Sequence, residues 1–223
     1  MPSPIIIAME GHSACGNSTL ARDLASRLGI HYLDSGALYR AVCLYCLDLG
    51  IHPEDRLSVI HNLDGLEIQI SLGDYLKVMN NGQEVTDRIR LPEVTRWVSE
   101  ISVVPEVRRK VNEILRRIGM HQSLVMDGRD IGTVVFPDAS VKFFLTADKM
   151  VRAQRRQNEL QSMGRDISIE KVLENLEHRD KIDSTREDSP LRCAEDAVLI
   201  DNTLLDRSEQ LELAMGYIRL ISL

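Results

Sequence analysis

Long apolar runs are missing from this 223-residue chain. No stretch approaches the ~20 residues that a membrane span needs, so no membrane partner is expected. A basic leader is missing too. Met1-Pro2-Ser3-Pro4 precedes only the short run Ile5-Ile6-Ile7-Ala8, unlike the charged and longer apolar segments of a secretory signal. A cytoplasmic location is expected. Positive charge is in deficit, with a formal net charge of −7. That balance argues against a nucleic-acid surface, although local arginine clusters can still hold small anions. Cysteine is scarce: Cys43 and Cys46 have CxxC spacing, but they sit in an apolar, helix-like run with no second ligand pair. Buried structural thiols are the expectation there, not metal or redox chemistry. The six histidines show no ligand spacing, and there is no internal repeat, low-complexity tract or long linker.

What remains is an ordinary globular composition, 43% hydrophobic and 27% charged, long enough for one well-buried core. Short β-rich runs alternate with amphipathic helices, which predicts a parallel α/β sheet. Strands are expected at 4–9, 30–33, 123–126, 141–146 and 197–200, five in all. Helices are expected at 18–28, from Ser35 to about 49, after Pro92 and Pro105, at 148–162, from Ser168, and at 206–220; proline suits a first turn. Between them the rhythm breaks. Leu66-Glu67-Ile68-Gln69-Ile70 alternates, and Asn80-Asn81-Gly82 is a strong hairpin signal. A small antiparallel insertion at about 64–90 is expected, within a core of 1–63 and 91–223.

Gly11-His12-Ser13-Ala14-Cys15-Gly16-Asn17-Ser18-Thr19 follows a strand and opens a helix, the context of a G-x-x-x-x-G-K-[ST] phosphate loop. Backbone N–H groups and the helix N-terminus of such a loop favour phosphate, and the Ser18 hydroxyl suits Mg²⁺. A plain glycine-containing turn is the structural alternative. Asn17 stands where the loop's lysine is expected, so the mobile charge that follows the β- and γ-phosphates is missing. Removing one oxyanion-hole donor costs roughly 10²–10³ in rate, and losing this charge is expected to cost at least as much.

Three further strings complete the pattern: Asp34-Ser35-Gly36-Ala37-Leu38-Tyr39-Arg40, Asp127-Gly128-Arg129-Asp130-Ile131-Gly132-Thr133-Val134-Val135-Phe136-Pro137, and Arg179-Asp180-x-x-Asp183-Ser184-Thr185-Arg186 before Ser189-Pro190-Leu191. Guanidinium forks hold phosphate while carboxylates accept from ribose or base. Each string taken singly also reads as a solvated ion-paired face.

Together they resemble the bacterial cytidylate kinases among the nucleoside-monophosphate kinases, over nearly the whole chain. The resemblance implies a P-loop NTPase-type five-stranded parallel sheet flanked by helices, the insertion as monophosphate-binding domain, and a short lid at about 155–168. It implies ATP as phosphoryl donor with Mg²⁺, CMP and dCMP as acceptors, and a monomer is expected. Ser35, Arg40 and Arg129 match the positions that hold the acceptor phosphate; Ser99, Arg108 and Asp130 those that read the cytosine edge. Arg179 and Asp183 match the ribose contacts, and Arg186 a further acceptor-side contact. Asp127, at a strand end, is a candidate for organising Mg²⁺ through water. Catalytic weight would fall on Asn17, Asp127, Arg129 and Arg186. Arg152, Arg155, Arg156 and Arg165 are candidates for lid-side charge toward ATP, with a solvated basic helix as the alternative for the first three. The departures lie in the loop, where the family's usual G-P-S-G-S-G-K-S-T has His12, Ala14 and Asn17 instead. A competing reading is therefore a nucleotide-binding protein of the same fold with weak or no kinase activity. A kinase for another small acceptor fits the cytosine-side matches less well.

Overall fold

The computed structural model describes residues 4–73 and 75–221; residues 1–3 of the expected opening, Asp74 of the expected insertion, and residues 222 and 223 lie outside it. Strand β1 (Ile6–Gly11) is buried along its whole length. It is hydrogen-bonded in parallel on both sides, to β6 (Leu124–Gly128) and β7 (Val141–Thr146). With β2 (His31–Asp34) and β8 (Val198–Asp201) the sheet order is β2-β6-β1-β7-β8. A strand covered on both faces reads as an unbroken apolar run, which is why β1 shows no alternation. The pleat nonetheless sorts its side chains. Ile6 and Ala8 join one hydrophobic cluster with Leu38, Val42, Val107 and Val111, and Ile7 and Met9 join another with Leu20, Leu24, Ala214 and Ile218.

The first cluster belongs to α2 (Gly36–Asp48), α4 (Pro92–Ser102) and α5 (Pro105–Gly119); the second belongs to α1 (Asn17–Leu28) and α8 (Arg207–Ile221). Pro92 and Pro105 each sit in a first helical turn, where the missing N–H removes no helical bond. Cys43 and Cys46 are buried and free, and burial pushes their thiols up to about 12 and 11. They are core residues. Two more helices, α6 (Lys149–Ser162) and α7 (Ile169–Thr185), pack on each other through Ala153, Leu160, Val172 and Leu176. Asp148 caps α6 by accepting from the Met150 and Val151 N–H groups.

The insertion is a three-stranded antiparallel sheet of β3 (Ile68–Leu72), β4 (Leu76–Asn80) and β5 (Gln83–Glu84). Asn81 (φ 48°) and Gly82 (φ 80°) both occupy the left-handed region, as a two-residue type I′ turn requires. The Asn80 side chain donates to Ala41 O at 2.9 Å, fastening this sheet to α2. Two elements are additions to the sequence-based expectation: the short helix α3 (Arg56–Asn62), and a π-helical turn at Ile131–Val135. The apolar string of that turn resembles a strand, but the Gly132 N–H donates to Glu10 Oε1 at 2.9 Å, and that bond bends it away from the sheet. Among the described residues no helix is long and apolar enough to cross a membrane.

Candidate active site

All five parallel strands deliver their functional residues at the carboxyl edge, and the order reverses at β1, the position where open α/β sheets bind ligands. The phosphate loop leaves β1, Ser35 follows β2, Asp127 to Asp130 end β6, α6 follows β7, and Asn202 follows β8. These ends surround a cleft of about 830 Å³. Its lining includes every residue anticipated for the site except Gly11, Arg108 and Arg152, which lie behind it. Among the described residues, ten arginines line it against six carboxylates, with no lysine. An acidic chain therefore has a positive cleft.

The loop is held at several points. Gly16 (φ 93°) and Ala14 (φ 62°) take left-handed backbone angles; for Ala14 that costs on the order of 1 kcal/mol relative to glycine. The Ser13 N–H donates to Asp180 Oδ1 at 3.1 Å, and Ser13 O accepts from Arg152 Nη1 at 3.1 Å. Asn202 Nδ2 donates to Cys15 O at 2.7 Å. Asn17 is buried, and its Nδ2 turns back to Gly11 O at 3.3 Å, while its Oδ1 has no partner. It braces the loop and brings no charge.

Beside the loop, Ser18 Oγ donates to Asp127 Oδ2 at 2.6 Å and Tyr32 Oη donates to Asp127 Oδ1 at 2.8 Å. Burial, and then the neighbouring Asp34 carboxylate, push Asp127 up to about 6. The oxygen atoms of Ser18 and Asp127 thus stand side by side, a hard-oxygen pair suited to a divalent cation.

At the other end, Arg129 donates to Asp183 Oδ2 (2.8 Å), Gly128 O (3.2 Å) and Ser13 Oγ (3.3 Å), linking α7 and the end of β6 to the loop. Arg186 lies between Asp130 (3.5 Å) and Asp183 (3.7 Å). Arg108 is 1% exposed; it pairs with Asp130 and donates to Ser102 O at 3.1 Å. Arg40 pairs with Asp34, and Ser35 Oγ donates to Asp127 O at 2.7 Å. Ser99 is buried on the same wall. Arg179 has no carboxylate partner among the described residues; burial, and then the nearby Arg129, pull it down to about 10. A guanidinium so placed favours an incoming anion.

The solvated-helix alternative fails for Arg152. It is buried, bonding Ser13 O and Asp180 Oδ2 (2.6 Å), and does not line the cleft. Arg155 and Arg156 do line it, as does Arg165. Sequence reasoning passed over Glu10, Asp180 and Asn202. Asp180 lies within the Arg179–Arg186 segment, but Glu10 and Asn202 have no local signal, because their partners lie 122 and 187 positions away.

A phosphate loop at the switch point of a five-stranded parallel sheet is the architecture of the P-loop NTPases. Comparison with known proteins narrows this class. The cytidylate kinase family model matches residues 7–220. Cytidylate kinase of Phocaeicola vulgatus is 46% identical over 212 residues, covering 92% of this chain and 93% of that one. Cytidylate kinase of Carboxydothermus hydrogenoformans is 45% identical over 204 residues, covering 91% and 92%. An uncharacterized protein from Eubacterium ventriosum has a similar crystal structure, with a TM-score of 0.51 at 15% identity, covering 96% and 98%; that likeness speaks to fold alone. The chain belongs to the cytidylate kinase family.

Proposed function

We propose that this protein transfers the γ-phosphoryl group of ATP to CMP or dCMP, giving ADP and the corresponding diphosphate, as a cytoplasmic monomer acting on free nucleotides. The observation that carries this reading is Arg129, bonded at once to Ser13 of the phosphate loop and to Asp183 of the acceptor wall. Donor and acceptor ends meet at one guanidinium. The reaction needs no covalent enzyme intermediate; positioning and electrostatic stabilisation suffice. Loop N–H groups cradle the donor phosphates, and Arg155 and Arg165 approach them from the lid at about 155–168. Ser35, Arg40 and Arg129 hold the acceptor phosphate in line. Arg179 and Asp183 hold the ribose, and Arg186 adds charge between the two nucleotides. Ser99, Arg108 and Asp130 read the cytosine edge, with the insertion at 64–90 closing over the monophosphate.

Ser18 directly and Asp127 through water would hold Mg²⁺, which when bound screens the donor oxygens and neutralises developing charge. The adjacent oxygen atoms of Ser18 and Asp127 suit a cation there.

A coupled assay across CMP, dCMP, UMP and AMP tests the reading. Turnover of CMP or dCMP is expected, and no turnover of any of them, with Asn17→Lys equally inactive, would overturn it. Asn17 motivates a second reading, a nucleotide-binding protein without useful kinase activity. That reading requires calorimetric CMP binding with negligible turnover, and ordinary kinase rates in the unmodified chain would end it.

A further inference from the structure

If this chain is a kinase, the charge missing at Asn17 has to come from elsewhere in the cleft. Most cleft arginines are already committed. Arg40 pairs with Asp34, Arg129 with Asp183, Arg156 with Glu159, and Arg207 with Asp23. Arg186 is shared between Asp130 and Asp183. A guanidinium against a carboxylate gives a weaker net field to a phosphate a few ångströms farther on than an unpaired one does.

Arg155 differs. Its Nη1 donates to Asn202 Oδ1 at 2.9 Å and its Nη2 to the Asn202 carbonyl O at 2.8 Å. Both acceptors are uncharged, so this two-point grip orients the guanidinium without neutralising its charge. Among the described residues no carboxylate pairs with it. Asn202 in turn is 1% exposed and is fixed by its own Nδ2, which donates to Cys15 O of the phosphate loop at 2.7 Å and to Gln210 Oε1 at 3.0 Å. One buried amide therefore bonds the loop on one side and Arg155 on the other. The remaining cleft arginines without a carboxylate lack this tie to the loop. Arg22 lies over the Tyr32 ring, 5.2 Å from its centroid. Arg179 lies among Arg129, Arg156 and Arg40, and Arg165 sits in the turn before α7.

We propose that Asn202 is a positioning residue that stations Arg155 at the phosphate loop, and that Arg155 supplies to the donor phosphates the fixed positive charge that Asn17 does not. This deepens the kinase reading and rests on it for the nature of the ligand. It explains how Asn17 can be accommodated: a charge carried by the loop itself is exchanged for one held against the loop by a neutral side chain.

A double-mutant cycle tests it. Arg155→Met is compared in the native chain and in Asn17→Lys, with kcat for CMP phosphorylation and the calorimetric Kd for ATP as readouts. In the native chain kcat is expected to fall about 100-fold or more, the scale of one electrostatic donor, and ATP binding to weaken about tenfold or more. In Asn17→Lys both losses shrink to roughly threefold, because the lysine restores the charge. Equal losses in the two backgrounds overturn the proposal. The ATP Kd reads the cycle even if no chain turns over CMP, so failure of the kinase reading and failure of this inference remain distinct.

Asn202→Asp tests the positioning role with little change of shape. Its carboxylate neutralises Arg155 and is expected to lower kcat with CMP KM unmoved; an unchanged kcat in a variant that melts like the parent counts against the proposal. Should Asn202→Asp fail to fold, Arg155→Lys decides. Lysine keeps the charge but cannot span both Asn202 oxygens, and an undiminished kcat would then reject the bidentate grip.

Discussion

Asp180 and Ser13 are 167 positions apart in sequence, yet the Asp180 carboxylate accepts the Ser13 N–H at 3.1 Å. The other Asp180 oxygen holds Arg152 at 2.6 Å, and Arg152 returns to Ser13 O. The phosphate loop is thereby tied through both the N–H and the carbonyl of one residue to α6 and α7.

Breaking this tie is expected to loosen the loop and leave Arg152 without its carboxylate. Asp180→Asn should lower stability by about 2–3 kcal/mol, near the low end for breaking a buried pair because Asp180 is partly exposed. Thermal melting measures the loss. A rise in KM for ATP larger than that for CMP would locate the damage at the loop.

In the Arg155→Met background Asn17→Lys should raise kcat by about 10²–10³ while CMP affinity moves less than about threefold, the signature of an interaction made in the transition state. Steady-state kinetics with varied CMP and saturating ATP separates the two. A gain confined to KM would assign Asn17 to ground-state binding.

Arg108 is the largest fully buried side chain, and it is charged. Arg108→Met leaves Asp130 buried beside a more distant Arg186 and should cost about 3–5 kcal/mol. Arg108→Lys keeps a charge but not the fork; it is expected to fold and to lose most discrimination between CMP and UMP, read as the ratio of kcat/KM values.

Glu10 is fully buried, and that burial pushes its carboxyl up from 4.5 to about 7. The folded protein then binds a proton at Glu10 more tightly than the unfolded chain, so this group's contribution to stability falls as pH rises from about 4.5 to about 7. Glu10→Gln removes that dependence and keeps an acceptor for the Gly132 N–H. Its melting temperature relative to the parent should climb between pH 5 and pH 8, by the equivalent of up to about 3 kcal/mol. A difference that does not vary with pH would mean that Glu10 titrates alike in the folded and unfolded chain.

The elements legible in the sequence are those whose signals are local. Asn81-Gly82 specified its turn, proline marked two helix starts, and the uniform apolar run marked the central strand. The site strings stood out because each carries its residues close together in sequence, two at the ends of β2 and β6 and the third along the last turns of α7. The π-helical turn at Ile131–Val135 was not, because its cause is a carboxylate on β1. Asn202 escaped for the same reason: an asparagine after a strand is unremarkable until the loop carbonyl and the arginine it joins are seen in space.

The surplus of arginine over carboxylate in the cleft has a consequence for encounter. With a chain charge of −7 and a positive cleft, the remaining surface repels a polyanion while the mouth attracts one. Such a field steers nucleotides toward the one place where they can react and turns them away elsewhere. Added salt flattens both slopes together, so capture should slow as ionic strength rises even where the bound complex is unchanged.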